Sequence, residues 1–233
     1  MTKAPRAGKV KTRLTPPLTS DEAAELNICF LRDTASAIAI ATTAGGAKGI
    51  GVYTPIGEEE SFEGVLPKEF QLVAQRGQNF GERLTCAMQD LFQLGFDSVC
   101  LIDSDSPTVS PTVFAEAVEK LSAPGDRIVL GPCDDGGYYL IGLKKLHHRL
   151  FEEIDWSSER VFAQTKMRAA EIGVSVHELP RGFDVDDRVS LRRLCDELLG
   201  DKERSTKNIA PNTRKFLSQI VEREGRDRIW PHE

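Results

Sequence analysis

The sequence has no long hydrophobic run and no set of paired cysteines. Its most apolar window, residues 35–41, is far shorter than the roughly 20 residues that cross a bilayer, and the N-terminal residues show no signal-peptide core, so we expect no membrane segment. The five cysteines are odd in number and lack the spacing of metal ligands, which argues against a disulfide framework or a zinc site. Reduced thiols predict a cytoplasmic protein.

A concentrated basic surface is also absent, although the chain contains 30 lysines and arginines. They are scattered through a sequence of net charge −6, which argues against binding to duplex nucleic acid and favours a small anionic ligand. The four histidines have no serine or cysteine partner at an interpretable spacing, so a serine or cysteine hydrolase is not expected. The sequence does not indicate an oligomeric state.

What the sequence does contain is a regular alternation of strand-like and helix-like segments. Its 233 residues, 40% of them hydrophobic, can fill one α/β domain. Parallel strands need crossover connections, which are usually helical, so the alternation predicts a mostly parallel central sheet with helices on both faces. We place this domain at residues 1–198 and interpret residues 199–233 as a polar C-terminal extension with a short helix. The predicted strands are 50–53, 70–74, 98–102, 127–130, 138–143 and 174–179.

A basic loop, residues 3–13, precedes the first predicted helix and carries five cations around Gly8. A glycine lets the backbone approach an anion closely, and Lys11 and Arg13 would add charge on one side of an extended segment. The loop therefore indicates phosphate binding, with a solvated basic arm as an equally weighted alternative. Its glycine spacing differs from that of a Walker loop, which disfavours a P-loop kinase.

Two carboxylates directly follow the predicted strand 98–102. Asp103 and Asp105 stand at the carboxyl end of this strand, where open α/β sheets bind ligands. Hard oxygen ligands at such a position suit Mg²⁺ or Mn²⁺, which would bridge to phosphate oxygens. The alternative is a helix cap, but Ser110 stands nearer to the next helix. The pattern therefore favours a metal site.

Two further acidic turns are less specific. Residues 131–139 carry Asp135 beside Gly136 and Gly137, where a carboxylate can hold a sugar hydroxyl or a basic acceptor group. Taken alone, this segment is better explained as a tight hairpin turn. Residues 183–187 hold Asp184 and Asp186 ahead of a predicted helix. Capping of that helix explains the third aspartate of the segment but not these two.

Weaker features lie between these segments. Gln75 follows a predicted strand and precedes Gly81. A carboxamide in that position can pair with the edge of a base, while a glycine lets the base lie flat. Trp156 is interpreted as an apolar anchor for a loop, with a lid over a ligand as the less favoured alternative.

Taken together, these segments resemble the domain-of-unknown-function 2064 family, also called selenodomain-associated transferase 1, from residue 1 to about residue 198. That family is similar to 2-phospho-lactate guanylyltransferase and molybdenum-cofactor guanylyltransferase. The resemblance implies a glycosyltransferase-A-like fold, a three-layer sandwich around a mostly parallel sheet, as in nucleotide-diphospho-sugar transferases. The segments that carry it are 8–14, 75–83, 103–107, 131–140, 155–157 and 184–186.

The same resemblance implies roles for individual residues. Catalysis would involve four charged side chains: Lys11, Arg13, Asp105 and Asp135. A divalent cation would be held by three carboxylates, with Asp105 as the main ligand: Asp105, Asp184 and Asp186. The phosphates, base and sugar of a nucleotide would meet seven positions: Gly8, Lys11, Arg13, Gln75, Gly81, Gly136 and Gly137.

The implied activity is glycosyl or nucleotidyl transfer from a nucleotide sugar or a nucleoside triphosphate to an unidentified small-molecule acceptor, with Mg²⁺ or Mn²⁺ as cofactor. The alternative is a non-catalytic nucleotide-binding regulatory protein that keeps the same fold. Neither involves nucleic acid or a membrane.

One feature departs from the family pattern. Relatives carry an apolar strand directly before the basic loop, whereas Met1 stands only two residues before Lys3. In a doubly wound sheet this strand is central, and its loss leaves neighbouring strands without partners. We therefore expect the true start of the polypeptide to lie upstream of Met1. A native protein shown by mass spectrometry to begin at Met1 would refute this.

Overall fold

The computed structural model describes residues 1–43, 46–200 and 209–231, and strands and helices alternate through most of this length. The strands are β1 (Thr2–Lys3), β2 (Ile50–Thr54), β3 (Gln71–Ala74), β4 (Val99–Ile102), β5 (Arg127–Pro132), β6 (Tyr138–Leu143) and β7 (Ser175–Glu178). The helices are α1 (Ser20–Thr42), α2 (Phe80–Gln93), α3 (Pro111–Ser122), α4 (Val161–Glu171), α5 (Arg188–Leu199) and α6 (Pro211–Glu224).

The strands form two hydrogen-bonded groups that meet at the N-terminus. β1, β2 and β3 pair in that order, all in parallel. The second group has the order β4, β6, β5, β7, in which β6 runs antiparallel to both neighbours and β5 pairs with β7 in parallel. The amino group of Met1 donates to the carbonyl oxygen of Ile102 and so links β1 to β4. The predicted mostly parallel sheet is therefore confirmed, with β6 as the exception.

β6 is antiparallel because its connection to β5 is short. β5 ends at Pro132 and β6 begins at Tyr138, whereas a parallel crossover needs about a dozen residues or more. This is the tight hairpin favoured by the sequence. The backbone N–H of Asp103 donates to the carbonyl oxygen of Tyr139 at 2.9 Å, so the hairpin lies directly beside the segment that follows β4.

Reciprocal hydrogen bonds of two side chains fix the start of α1. The Thr19 hydroxyl accepts from the backbone N–H of Glu22, and the Glu22 carboxylate accepts from the backbone N–H of Thr19, which forms a capping box. Alanines along the helix allow it to pack closely on α3. Although α1 has 23 residues, no helix in the described ranges combines the length and apolarity needed to cross a membrane.

The C-terminal helix α6 shares a core with α1 and α5. Leu217 and Ile220 are almost fully buried in the same cluster as Phe30. The buried carboxylate of Asp33 accepts from the backbone N–H of Thr213 at 2.8 Å, which satisfies a free donor of the first turn of α6. The predicted extension therefore contains a helix that is built into the fold. Residues 201–208 of that extension lie outside the described residues.

Candidate functional site

A cleft of about 740 Å³ opens beyond the carboxyl ends of β4 and β5. Three acidic segments converge on it, namely residues 103–105 after β4, the hairpin loop 133–137, and residues 183–187 before α5. Carboxylates that are far apart in sequence thus reach the sheet edge at which α/β folds bind ligands. Charged residues that line the cleft include Arg13, Asp103, Asp105, Asp135, Asp184 and Asp186.

Lys11 joins two of these acidic segments. Its ammonium nitrogen lies 2.7 Å from Asp105 Oδ1 and 3.1 Å from Asp186 Oδ1, and it donates to the carbonyl oxygen of Val185 at 2.8 Å. The side chain is only 4% exposed. Although burial opposes the shift, the charges of Asp105 and Asp186 raise the pKa of Lys11. The φ of Lys11 is 47°, a left-handed backbone conformation that is uncommon for residues other than glycine. Such conformations are found repeatedly at functional sites.

Arg13 pairs with the same acidic group from the solvent side. Its Nη2 lies 2.8 Å from Asp186 Oδ2, and the side chain is 73% exposed on the cleft wall. The backbone N–H of Val185 donates to the carbonyl oxygen of Asp105 at 2.9 Å, which ties the two acidic segments together independently of charge. The basic loop therefore closes on the ends of two strands, and a solvated arm does not describe Lys11.

Asp103 shapes the turn that presents Asp105. Its carboxylate accepts from the hydroxyl of Ser106 at 2.8 Å and from the backbone N–H groups of Asp105 and Ser106 at 3.3 Å. Burial, followed by the charge of Asp105, raises the pKa of Asp103 to about 7. Of the two carboxylates predicted after β4, Asp103 therefore hydrogen-bonds within its own turn, while Asp105 contacts Lys11 of the basic loop.

A second acidic group lies in the same cleft. One potential ligand atom each of Cys133, Asp135 and Asp184 lies within 4.8 Å of the others. Burial, followed by the charges of Asp135 and Asp186, raises the pKa of Asp184 to about 6. Burial also raises the pKa of the Cys133 thiol, so that it stays protonated at neutral pH. Among the described side chains, neither Asp135 nor Asp184 forms a salt bridge.

The hairpin loop aims Asp135 by means of two glycines. Gly136 has a φ of 88°, and a Cβ there would lie 2.1 Å from the backbone oxygen of Glu159, so a side chain cannot be accommodated. The backbone N–H of Gly137 donates to Asp135 Oδ1 at 2.8 Å. The neighbouring Asp134 instead forms a salt bridge with Arg193, at 2.5 Å. Of the two adjacent aspartates, only Asp135 takes part in the second acidic group.

Five of the seven residues that the resemblance associates with the nucleotide are not among those that line this cleft: Gly8, Lys11, Gln75, Gly81 and Gly136. The side-chain nitrogen of Gln75 donates to backbone carbonyl oxygens of β1 and β2 at 3.1 and 2.9 Å. A Cβ on Gly81 would lie 2.5 Å from the indole nitrogen of Trp156, so this glycine allows the ring to pack on α2. Gly8 is exposed and has a φ of 69°. In this structure Gln75 and Gly81 have packing roles, and a base contact for either stays a prediction.

An apolar wall, which we define as Phe80, Trp156 and Val189, was only partly anticipated: the sequence analysis named Trp156 as a loop anchor or a lid, but not Phe80 or Val189. The rings of Phe80 and Trp156 meet edge to face with centroids 5.3 Å apart, and all three side chains line the cleft. Phe80 is 52% and Val189 77% exposed. Both stand in the first turn of an amphipathic helix but face solvent. Apolar residues that lie off the apolar face of their helix are a sequence signal that could have identified them.

Comparison with known proteins agrees with this architecture. A family model described as "Uncharacterized protein conserved in bacteria (DUF2064)" matches residues 37–158. No curated protein matches the sequence. A crystal structure described as a candidate nucleotide-diphospho-sugar transferase from Desulfovibrio desulfuricans G20 is 31% identical, with a TM-score of 0.82 over 94% of this chain and 92% of that one.

A more distant structural match extends the fold relationship. CMP:2-keto-3-deoxy-manno-octonic acid synthetase, solved in complex with CTP, has a TM-score of 0.51 at 11% identity, over 73% of this chain and 87% of that one. At that identity the likeness concerns the fold alone. Both matches confirm the glycosyltransferase-A-like α/β fold that the resemblance implies.

Proposed function

The chain belongs to the DUF2064 family, and we propose that it is a divalent-metal-dependent transferase that acts on a nucleoside triphosphate or a nucleotide sugar. The observation that carries the proposal is the convergence of one cationic and two acidic groups at a single cleft: Lys11 is bound to Asp105 and Asp186, and Asp135 lies beside Asp184.

The cationic side is suited to phosphate binding. Arg13 is exposed on the cleft wall, and its planar guanidinium can bind phosphate oxygens through two parallel hydrogen bonds. Lys11 lies deeper, and its ammonium already contacts two carboxylates and a carbonyl oxygen. In this proposal Arg13 contacts the phosphates directly, while Lys11 holds Asp105 and Asp186 in position. Charge that develops on the phosphates as a bond breaks would be stabilised from this side.

The acidic side is suited to a divalent cation. Asp135 and Asp184 offer hard carboxylate oxygens of the kind that Mg²⁺ and Mn²⁺ prefer, and the raised pKa of Asp184 reflects burial and nearby negative charge that a cation would offset. A metal bound there by Asp135, Asp184 and Asp105 would neutralise and polarise the phosphates of the substrate. Asp186, although predicted as a ligand, has both carboxylate oxygens in salt bridges, with Lys11 and with Arg13, whereas Asp105 meets Lys11 through Oδ1.

Two product assays test the reaction. Nucleoside triphosphates with candidate phosphorylated acceptors would release pyrophosphate, and nucleotide sugars with hydroxyl acceptors would release a nucleoside diphosphate. We expect one of the two products, and only with Mg²⁺ or Mn²⁺ present. Nucleotide binding without either product would favour the non-catalytic alternative, and no nucleotide binding in a thermal-shift screen would contradict both.

A matched pair of variants tests the metal site. Asp184→Asn should abolish the Mg²⁺-dependent part of the thermal shift seen with nucleotide. Asp134→Asn should preserve it, because Asp134 is paired with Arg193 outside the acidic group. Asp105→Ala should weaken the shift as well. An unchanged shift in Asp184→Asn would show that the metal assignment is wrong.

A further inference from the structure

The apolar wall of the cleft is held in place by the elements that carry it. The side chain of Asn79 accepts from the backbone N–H of Glu82 at 2.9 Å, and this cap fixes the first turn of α2, where Phe80 stands. Gly81 leaves room for the ring of Trp156, because a Cβ on this glycine would lie 2.5 Å from the indole nitrogen. Apolar side chains that are exposed together in a fixed arrangement are typical of a binding surface.

The segment that carries Trp156 packs directly on the hairpin loop that carries Asp135. The backbone N–H of Phe162 donates to the carbonyl oxygen of Gly136 at 2.8 Å. The same glycine lies so close to Glu159 that a Cβ on it would be 2.1 Å from the backbone oxygen of that residue. The apolar wall and the loop of Asp135 therefore form one packed unit, and both line the cleft.

The side-chain charge of the cleft is mainly negative. Eight carboxyl side chains line it: Asp103, Asp105, Asp134, Asp135, Glu159, Asp184, Asp186 and Asp187. The cationic side chains that line it in the described part of the chain are Arg13 and Arg193, and both are paired, with Asp186 at 2.8 Å and with Asp134 at 2.5 Å. A divalent cation can attract the phosphates of one substrate, but a second anionic substrate would meet uncompensated negative charge.

Hydrogen-bonding groups lie beside the apolar wall. Ser157, which directly follows Trp156, is exposed, lines the cleft and has a φ of 63°, a left-handed conformation that is uncommon without glycine. Glu159 is exposed on the same segment, lines the cleft and forms no salt bridge with a described residue. Its carboxylate can accept from the hydroxyl groups of a ligand, and the hydroxyl of Ser157 can donate or accept. Flat apolar surface bordered by such groups suits a ring that carries hydroxyls.

We infer, on the basis of the proposed function, that the apolar wall binds the acceptor and that this acceptor is an uncharged, hydroxyl-bearing molecule with a flat apolar ring. Such a ring belongs to an aromatic alcohol or to a sugar. Of the two reactions proposed above, this favours glycosyl transfer. In it the acceptor oxygen bonds to the anomeric carbon, the bond from that carbon to the diphosphate breaks, and the hydroxyl proton passes to a carboxylate of the cleft. Phe80 and Trp156 then determine specificity for the acceptor.

Three small probes test this specificity without nucleotide or metal: 2-phenylethanol, methyl β-glucoside and phenyl phosphate. Their dissociation constants for the full chain are measured by NMR titration. We expect at least one neutral probe to bind more tightly than phenyl phosphate, and the tighter of the two neutral probes identifies the kind of ring. Phe80→Ala should weaken the binding of that probe by about five- to tenfold. The matched control is Met167→Ala, which removes an apolar side chain that is 58% exposed on α4 outside the cleft lining and should change nothing.

Absence of binding by either neutral probe would overturn the inference, as would binding that Phe80→Ala leaves unchanged or phenyl phosphate as the tightest probe. Nucleotide affinity of Phe80→Ala, measured by isothermal titration, should equal that of the parent. A loss of that affinity would assign the apolar wall to the base and overturn the inference as well. If the parent binds no nucleotide, the proposed function fails and the acceptor role fails with it. Failure of the probe series alone leaves the transferase proposal intact.

Discussion

The two sides of the cleft balance their charges differently. On the paired side, which comprises Lys11, Arg13, Asp105 and Asp186, each carboxylate meets a cation within about 3 Å. On the unpaired side, Asp135 and Asp184 lie beside Cys133, and no salt bridge to either is found among the described residues. On the paired side, the two cations neutralise the two carboxylates. On the other, burial and the charges of Asp135 and Asp186 raise the pKa of Asp184 to about 6.

The largest expected effect comes from breaking the paired side. Lys11→Met removes the buried cation and leaves Asp105 without its partner, while Asp186 keeps Arg13. Both carboxylates are 35% exposed, so solvent screens them, and the free energy of unfolding should fall by about 3 kcal/mol, the lower end of the cost of breaking a buried pair. Urea denaturation measures this. Adding Asp186→Asn to Lys11→Met should recover part of the loss. A Lys11→Met protein as stable as the parent would show that the charges are already screened by water.

The unpaired side should make stability depend on pH. Asp184 and Asp103 have folded-state pKa values of about 6 and about 7, above the unfolded value of 3.8. Because the folded state binds these two protons more tightly, protonation stabilises it. This contribution is fully present below pH ~3.8 and is lost as the pH rises through ~6 and ~7. In metal-free buffer we expect a loss of about 2–3 kcal/mol between pH ~5 and ~8, after allowance for solvent screening.

The control for this pH dependence is the double variant Asp103→Asn and Asp184→Asn, whose urea denaturation midpoint should vary much less over the same range. Burial of the Met1 amino group acts in the opposite direction, because its lowered pKa favours folding at high pH. A parent protein that becomes more stable toward pH ~8 without metal would contradict the assignment of the two carboxylates.

A smaller effect is expected from relieving the unpaired side alone. Asp184→Asn should raise the free energy of unfolding by about 1–2 kcal/mol at pH ~8 in the presence of a chelator, because it removes a half-buried charge next to Asp135. With Mg²⁺ and nucleotide the parent should instead be more stable than the variant, because only the parent is stabilised by binding these ligands. A variant less stable than the parent in both conditions would mean that the carboxylate is needed for folding.

The smallest effect on stability is expected for Arg13→Ala. Its salt bridge with Asp186 is exposed, and such pairs contribute about 0–1 kcal/mol. Nucleotide affinity should fall much more, by about tenfold or more if one charge-assisted phosphate contact is lost. Isothermal titration measures the affinity. A variant that binds nucleotide normally would show that the phosphates do not contact Arg13. Arg76→Ala, which removes an exposed salt bridge with Asp90 outside the cleft lining, would serve as the matched control.

Local signals in the sequence were sufficient for most elements of the fold. Thr19 and Glu22 start α1, and the run 138–143 was expected as the strand that is now β6. The direction of β6 followed from the short turn before it. Buried packing at α6 was not predicted, because an amphipathic helix after a polar stretch does not reveal which surface it will cover.

The sequence predicted only part of the site, because it does not reveal which distant segments pack together. Lys11 and Arg13 were recognised in a basic loop and Asp105 and Asp186 as carboxylates after predicted strands, and the four side chains do lie together. The second group could not be derived, because Cys133, Asp135 and Asp184 meet only when the hairpin loop and the segment before α5 are folded side by side.

The sequence by itself determined the chemistry available to this protein, namely carboxylates after strands, a cationic loop before a helix, and the alternation that builds a mostly parallel sheet. Helix caps, turns and hydrophobic periodicity depend on residues that are close together in the sequence, so these features can be predicted from it. Only the tertiary structure decided which carboxylates are neutralised by Lys11 and which stay unpaired beside Asp135. Charge interactions weaken with separation and are screened by salt over about 10 Å, and that separation is set by packing between segments that are distant in the chain.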